Sequence, residues 1–138
     1  MSFRIPTALA TLGLLLLAVS PASAQEMKMV KGQPTWDGRT LNEWIKDLSA
    51  PAPYTRHSAA YAIAEFGPKG APAVPALIKN LEDDQPTVRY SSALALGDIG
   101  PTAKDAVEPL KKLLDDRNED VAAIARKSLK KITGETIE

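Results

Sequence analysis

The chain contains no cysteine. That excludes disulfide bonds, a thiolate nucleophile and any Cys-ligated zinc site. It does not identify a compartment, because a helical domain of this length needs no covalent staples. Histidine is nearly absent too: His57 is the only one in 138 residues. Aromatic residues make up 5%, and runs of β-branched residues are few. Sheet-forming residues are thus scarce, while abundant alanine favours helices that pack closely. Excess charge of either sign is missing as well, with 17 basic residues against 17 acidic. No chain-wide attraction to nucleic acid or to an anionic membrane follows. The length suits one domain.

The N-terminus carries its own signal. Met1-Ser2-Phe3-Arg4 is positively charged, an apolar Leu-rich run extends from Ala8 to Val19, and Ser20-Pro21 precede the small triplet Ala22-Ser23-Ala24. This is the layout of a secretory signal peptide over residues 1–24, cleaved after Ala24. The alternative is a retained anchor, but the run falls short of the roughly 20 apolar residues a span needs. No cysteine follows it, which rules out lipoprotein processing. Cleavage removes Arg4 and leaves 16 basic residues against 17 acidic. The expected location is periplasmic or secreted, with no membrane span after cleavage.

What the chain does have is a repeat. Arg56 to Pro68 and Arg89 to Pro101 run in parallel, 33 residues apart. Downstream, Ala73-Val74 matches Ala106-Val107, Leu77 matches Leu110, Leu81 matches Leu114 and Asp83 matches Asp116. The same register reaches both ends of the array. Leu41, Trp44, Ile45 and Leu48 correspond to Val74, Leu77, Ile78 and Leu81, then to Val107, Leu110, Lys111 and Leu114. Thr55, Ala59, Ile63 and Phe66 correspond to Val88, Ser92, Leu96 and Ile99, then to Val121, Ala125, Leu129 and Ile132. Spacings of three and four give each segment an apolar stripe, as a helix requires. A fixed period of this size predicts an all-α solenoid, a right-handed superhelix of about six helices in three pairs.

Turn chemistry sets the boundaries. Residues 25–39, with Gly32, Pro34 and Asp37-Gly38, read as an irregular lead-in. Thr40-Leu41-Asn42-Glu43 is a capping box that starts the first helix. Pro53 and Pro86 suit the first position of a helix, Asn118 an N-cap, and Gly67-Pro68 and Gly100-Pro101 helix ends. The repeat domain then covers residues 40–133, and 134–138 form a tail.

The segment Val88-Arg89-x-x-Ser92-Ala93-x-Ala95-Leu96-Gly97-x-Ile99-Gly100-Pro101, followed by Ala106-Val107 and Leu110, resembles the HEAT-repeat superfamily. The likeness is to its short-repeat branch named after phycobilisome lyases. It covers about Thr40 to Thr133 and speaks to fold more than to function. It implies a rigid protein-binding scaffold. Some members instead act on bilin chromophores, which gives the alternative of a lyase-like or chaperone-like protein. The resemblance further implies a ladder of turn Asp and helix Arg residues. Asp83 and Arg89 fill both places, whereas Ala50 and Ala122 interrupt the outer copies. The expectation is one complete rung, a structural ion pair between Asp83 and Arg89.

Chemistry finds little foothold. His57 stands alone beside Arg56, so no metal site is expected. Ser58, Ser91 and Ser92 fall where helices pack, with no Gly-x-Ser-x-Gly elbow. Asp83-Asp84 and Asp115-Asp116 lie at turns entering helices, where the macrodipole favours acids, and lack the spaced oxygen ligands of a calcium loop. Arg126, Lys127, Lys130 and Lys131 suit a polar face that closes the array. Trp44 occupies a repeated core position. Trp36 has no counterpart and either folds over the first helix or anchors a partner. The sequence therefore points to a monomeric, non-enzymatic scaffold without cofactor, metal or nucleic acid. It binds a protein of unknown identity, with Trp36 as the candidate contact.

Overall fold

The computed structural model describes residues 28–30 and 32–137. Residues 1–24, read above as a signal peptide, lie outside them. The lead-in is not irregular. Its described part forms an antiparallel sheet of three short strands in the order β1-β2-β3: Lys28–Val30, Gln33–Trp36 and Arg39–Thr40. Asp37 and Gly38 link β2 to β3 with φ of 51° and 74°, the two positive values a tight two-residue hairpin demands. The expectation failed because strands of two to four residues show no readable alternation.

Six α-helices follow: α1 Leu41–Asp47, α2 Pro53–Glu65, α3 Val74–Asn80, α4 Pro86–Ile99, α5 Val107–Lys112 and α6 Glu119–Thr133. They begin where local chemistry directs. The Glu43 carboxylate accepts from the Thr40 backbone N–H (2.7 Å) and the Thr40 hydroxyl (2.8 Å), closing the capping box. Pro53 and Pro86 open α2 and α4. The Asn118 side chain accepts from the N–H groups of Asp120 and Val121. Single-sided 3₁₀ segments, Gly67–Ala73 and Gly100–Ala106, run directly into α3 and α5. They absorb the prolines that an α-helix interior would not tolerate.

Helices α2, α4 and α6 pack side by side as one continuous layer. The second layer holds α1, α3 and α5, joined mainly through the 3₁₀ segments. Between them lies the core of Leu48, Ile63, Leu77, Leu96, Ile99, Leu110 and Leu129, all nearly or fully buried. Small residues let the first layer close up: Ala59, Ala60, Ala93, Ala95, Ala125 and Ser128 are buried along its seams. The tightest point is Gly97. A Cβ added there would lie 2.5 Å from Ser128 Oγ and 3.0 Å from Ser128 Cα. Ser128 cannot withdraw, because its hydroxyl donates to the Ala93 carbonyl at 2.7 Å. The far side of α6 carries exposed Arg126, Lys127, Lys130 and Lys131, and Lys131 pairs with Asp98 of α4 at 2.5 Å. Behind it, Ile137 of the tail folds back against the core. Among the described residues no helix is long and apolar enough to cross a membrane.

Candidate functional site: an aromatic docking face

The α2–α4–α6 layer has an inner side that builds the core and an outer side open to solvent. Positions 33 residues apart line up across that outer side: Tyr54 with Thr87 and Asp120, His57 with Tyr90 and Ala123, Tyr61 with Leu94 and Lys127. The first helix therefore presents aromatic rings, and the last presents charge. Tyr54 is 79% exposed and Tyr61 is 49% exposed, the largest outlay of apolar surface on this face. Exposed single apolar residues are ordinary, but several large rings gathered at one place are a feature of interaction surfaces.

Two open clefts cross the face and meet at His57. The first, about 320 Å³, is walled by Trp36, Trp44, Tyr54, His57 and Tyr61, with Asp37 at its rim. The second, about 430 Å³, runs between Pro86, Thr87, Tyr90 and Asn118 to Asp120. His57 is held at the junction by two contacts. Its Nδ1 lies 3.2 Å from the Thr87 carbonyl on α4, and its ring sits 5.9 Å from that of Tyr61 at a 55° tilt. Trp36 packs over the first helix and also lines a cleft. Its carbonyl accepts from Trp44 Nε1 at 3.2 Å, which ties it to α1, and it lines the first cleft. The other face of the Trp44 environment is closed by Arg39, whose guanidinium stacks 3.9 Å from the ring centroid and pairs with Asp47 at 2.8 Å. Tyr54, Tyr61 and Tyr90 were not singled out in the sequence. The available signal was their position off the buried stripe, where a solvent-facing polar residue is the norm.

The ion pair foreseen between Asp83 and Arg89 is not formed. Asp83 instead receives Arg56, through Nε at 2.7 Å and Nη2 at 3.0 Å. Arg89 reaches forward to Asp116, through Nε at 2.8 Å and Nη2 at 2.9 Å. Each pair spans 27 residues and joins one copy to the next. Arg89 meets residue 83 only at the backbone, donating from Nη1 to the Asp83 and Asp84 carbonyls at 2.8 and 3.2 Å. Arg56 does the same to Ala50 and Pro51, both at 2.9 Å. The physical reason is reach: a guanidinium close to its own turn satisfies that turn's carbonyls, leaving its fork free for the next turn's carboxylate. Two rungs result, not one.

The rungs control ionisation. Arg89 bonding holds the Asp116 carboxyl below the usual range despite burial, helped by the Asn118 N–H. Burial alone would raise Asp83, but the Arg56 fork and the Gln85 N–H outweigh it and bring the carboxyl down. Arg56, Asp83, Arg89 and Asp116 do not line either aromatic cleft. Among the described residues no group of three His, Asp or Glu side chains converges as a metal site would need.

The comparisons agree with this architecture. The sequence profile of HEAT repeats matches residues 41–130. No curated protein matches the chain. Among solved structures, the crystal structure of an engineered protein from the Northeast Structural Genomics Consortium is similar, with a TM-score of 0.61 at 25% identity. The match covers 68% of this chain and 45% of that one, so this chain spans less than half the length of that structure. With three stacked helix pairs, an inter-copy Arg–Asp ladder and a profile match from α1 into α6, the chain belongs to the HEAT-repeat family.

Proposed function

We propose that this protein is an exported, non-enzymatic scaffold that binds another protein through the outer face of α2, α4 and α6. The observation that carries the proposal is the gathering of Trp36, at the end of β2, with Tyr54 and Tyr61 of α2, a helix whose inner side is fixed in the core. Rings held this way lose little freedom on binding, so contact area converts to affinity at low entropic cost. Aromatic side chains are also the residue types most often found as interface anchors. The open clefts suit a protein surface or strand better than an enclosed small molecule, of which a pocket normally covers most. No reaction is proposed.

Export rests on the charged start, apolar run and Ala22-Ser23-Ala24 triplet. N-terminal sequencing of the product recovered outside the cytoplasm should begin at Gln25. The assignment to the short-repeat, phycobilisome-lyase-type branch rests on the Val88–Pro101 motif. A stable spectral shift on mixing with bilin would favour the chromophore reading over the scaffold. A monomer is expected, and light scattering after size exclusion reads the mass directly.

The docking reading is tested by affinity capture from envelope fractions, comparing the native chain with a Tyr54→Ser/Tyr61→Ser double variant. A purified captured protein should bind the native chain in calorimetry and lose affinity for the variant. Equal binding to both would sink the proposal.

A further inference from the structure

The two clefts carry charge of one sign. Asp37 lines the first and Asp120 the second, and among the described residues no Lys or Arg lines either. Between them stand aromatic rings whose faces are electron-rich. Asp37 is held on the β2–β3 turn at a φ of 51°, and Asp120 is exposed in the first turn of α6. Neither carboxylate has a charged partner among the described residues. By contrast, Asp83 and Asp116 are already occupied by Arg56 and Arg89.

We propose that the face takes a cation-bearing segment of a partner protein, an extended stretch that presents Lys or Arg side chains. This names the partner chemistry of the docking face and rests on that reading. Charge and ring geometry argue for it together. The first cleft is lined by Trp36, Tyr54 and Tyr61 together with Asp37, so a cation laid in it has aromatic and acidic neighbours at once. The fold demonstrates the same interaction beside the cleft, where Arg39 lies 3.9 Å from the Trp44 centroid with Asp47 as its counterion. An acidic segment would face two like charges. A wholly apolar segment would strip water from Asp37 and Asp120 and return nothing to them. A chain rather than a single small cation fits the extent of the face. The clefts meet at His57 and reach from β2 to the start of α6, so two side chains of one strand can engage both carboxylates.

The test uses the full chain and its own fluorescence. Trp36 and Trp44, the only tryptophans, both line the first cleft. Blocked hexa-arginine, hexa-lysine, hexa-glutamine and hexa-glutamate peptides serve as probes. Saturable quenching is expected with the arginine and lysine peptides, about tenfold tighter than with glutamine. It should weaken as salt rises, as for any association driven by exposed charge. Tyr54→Ala and Tyr61→Ala should weaken arginine binding about fivefold while leaving the far-UV spectrum unchanged, since neither residue is part of the buried core. Asp37→Asn, which tolerates the same turn conformation, and Asp120→Asn should weaken lysine binding and flatten its salt dependence. Equal affinity for glutamate or glutamine peptides would overturn the inference. So would absence of saturation at about 1 mM peptide, or binding indifferent to Tyr54→Ala and Asp37→Asn. If a native partner is lost in the tyrosine variant while no cationic peptide binds, this inference fails and the docking reading stands. If the tyrosine variant keeps its partners, the docking reading fails first.

Discussion

Replacing Arg89 by Met is the most informative single perturbation of this fold. The substitution keeps an unbranched chain of similar length and removes only the guanidinium. Arg89 and Asp116 side chains are 8% and 7% exposed, so the pair is effectively interior. Four hydrogen bonds vanish: two to the Asp116 carboxylate and one each to the Asp83 and Asp84 carbonyls. Asp116 is then left buried with only the Asn118 N–H at 2.9 Å. Stranding a buried charge in this way costs about 3–5 kcal/mol. That is a large share of the roughly 5–15 kcal/mol that holds a whole domain folded. Urea denaturation followed by circular dichroism reads the loss. The equivalent Arg56→Met should cost less, because its pair is 17% and 9% exposed and water can still reach it. A double variant, Arg89→Met/Asp116→Leu, should regain part of the stability by removing the stranded charge. It should not reach the native value, since two carbonyls still lack their donor. A loss below about 1 kcal/mol for Arg89→Met would show that the rung behaves as a solvated surface pair, and the argument would fall. A double-mutant cycle should also give stronger coupling for Arg89 with Asp116 than for Arg89 with Asp83.

Acid should weaken the same ladder. Both carboxyls titrate lower in the folded chain than in the unfolded one. Their contribution is therefore complete above the unfolded value near 4 and is lost as pH falls through the lower folded values. Urea midpoints should stay level from about pH 7 to 5 and drop below about 4, and an Asp83→Asn/Asp116→Asn variant that shows the same drop would contradict this. Gly97→Ala should lower the melting temperature, by about 1 kcal/mol or more in stability, because crowding against Ser128 outweighs the gain in helix propensity; a raised melting temperature would mean that α4 and α6 separate freely. Ser92→Ala should be neutral or stabilising by up to about 1 kcal/mol. Its buried hydroxyl is without a partner among the described residues, and the matching positions are Ala59 and Ala125. Clear destabilisation would reveal a bond formed by that hydroxyl.

Much of this fold can be read before any coordinates. The 33-residue register places Leu77, Leu110, Ile63, Leu96 and Leu129 in the core, and all five are buried. Thr40, Pro53, Pro86 and Asn118 begin helices as their side chains direct. What was misread is pairing between copies, since periodicity locates equivalent residues without saying which copy supplies the partner. Yet the ends of the array held the answer. Pairing within each copy leaves Arg56 and Asp116 alone, whereas pairing each Arg with the next Asp leaves neither. The sheet was missed for a different reason. Asp37-Gly38 is a strong hairpin signal, but its strands are too short to show alternation. The aromatic face was missed because Tyr54 and Tyr61 lie off the stripe that defines the helices. Surface rings leave no periodic trace when only one copy carries them.

Seen as a polymer, the ladder has chain terminators at both ends. Growth would run from a guanidinium donor on one unit to a carboxylate acceptor on the next. The first unit carries Ala50 where an acceptor would stand, and the last carries Ala122 in place of a donor. Two molecules meeting head to tail would bring methyl against methyl and form no rung. The length of the array is thus written into two alanines. Exchanging them for Asp and Arg would supply the chemical ends that a longer stack requires.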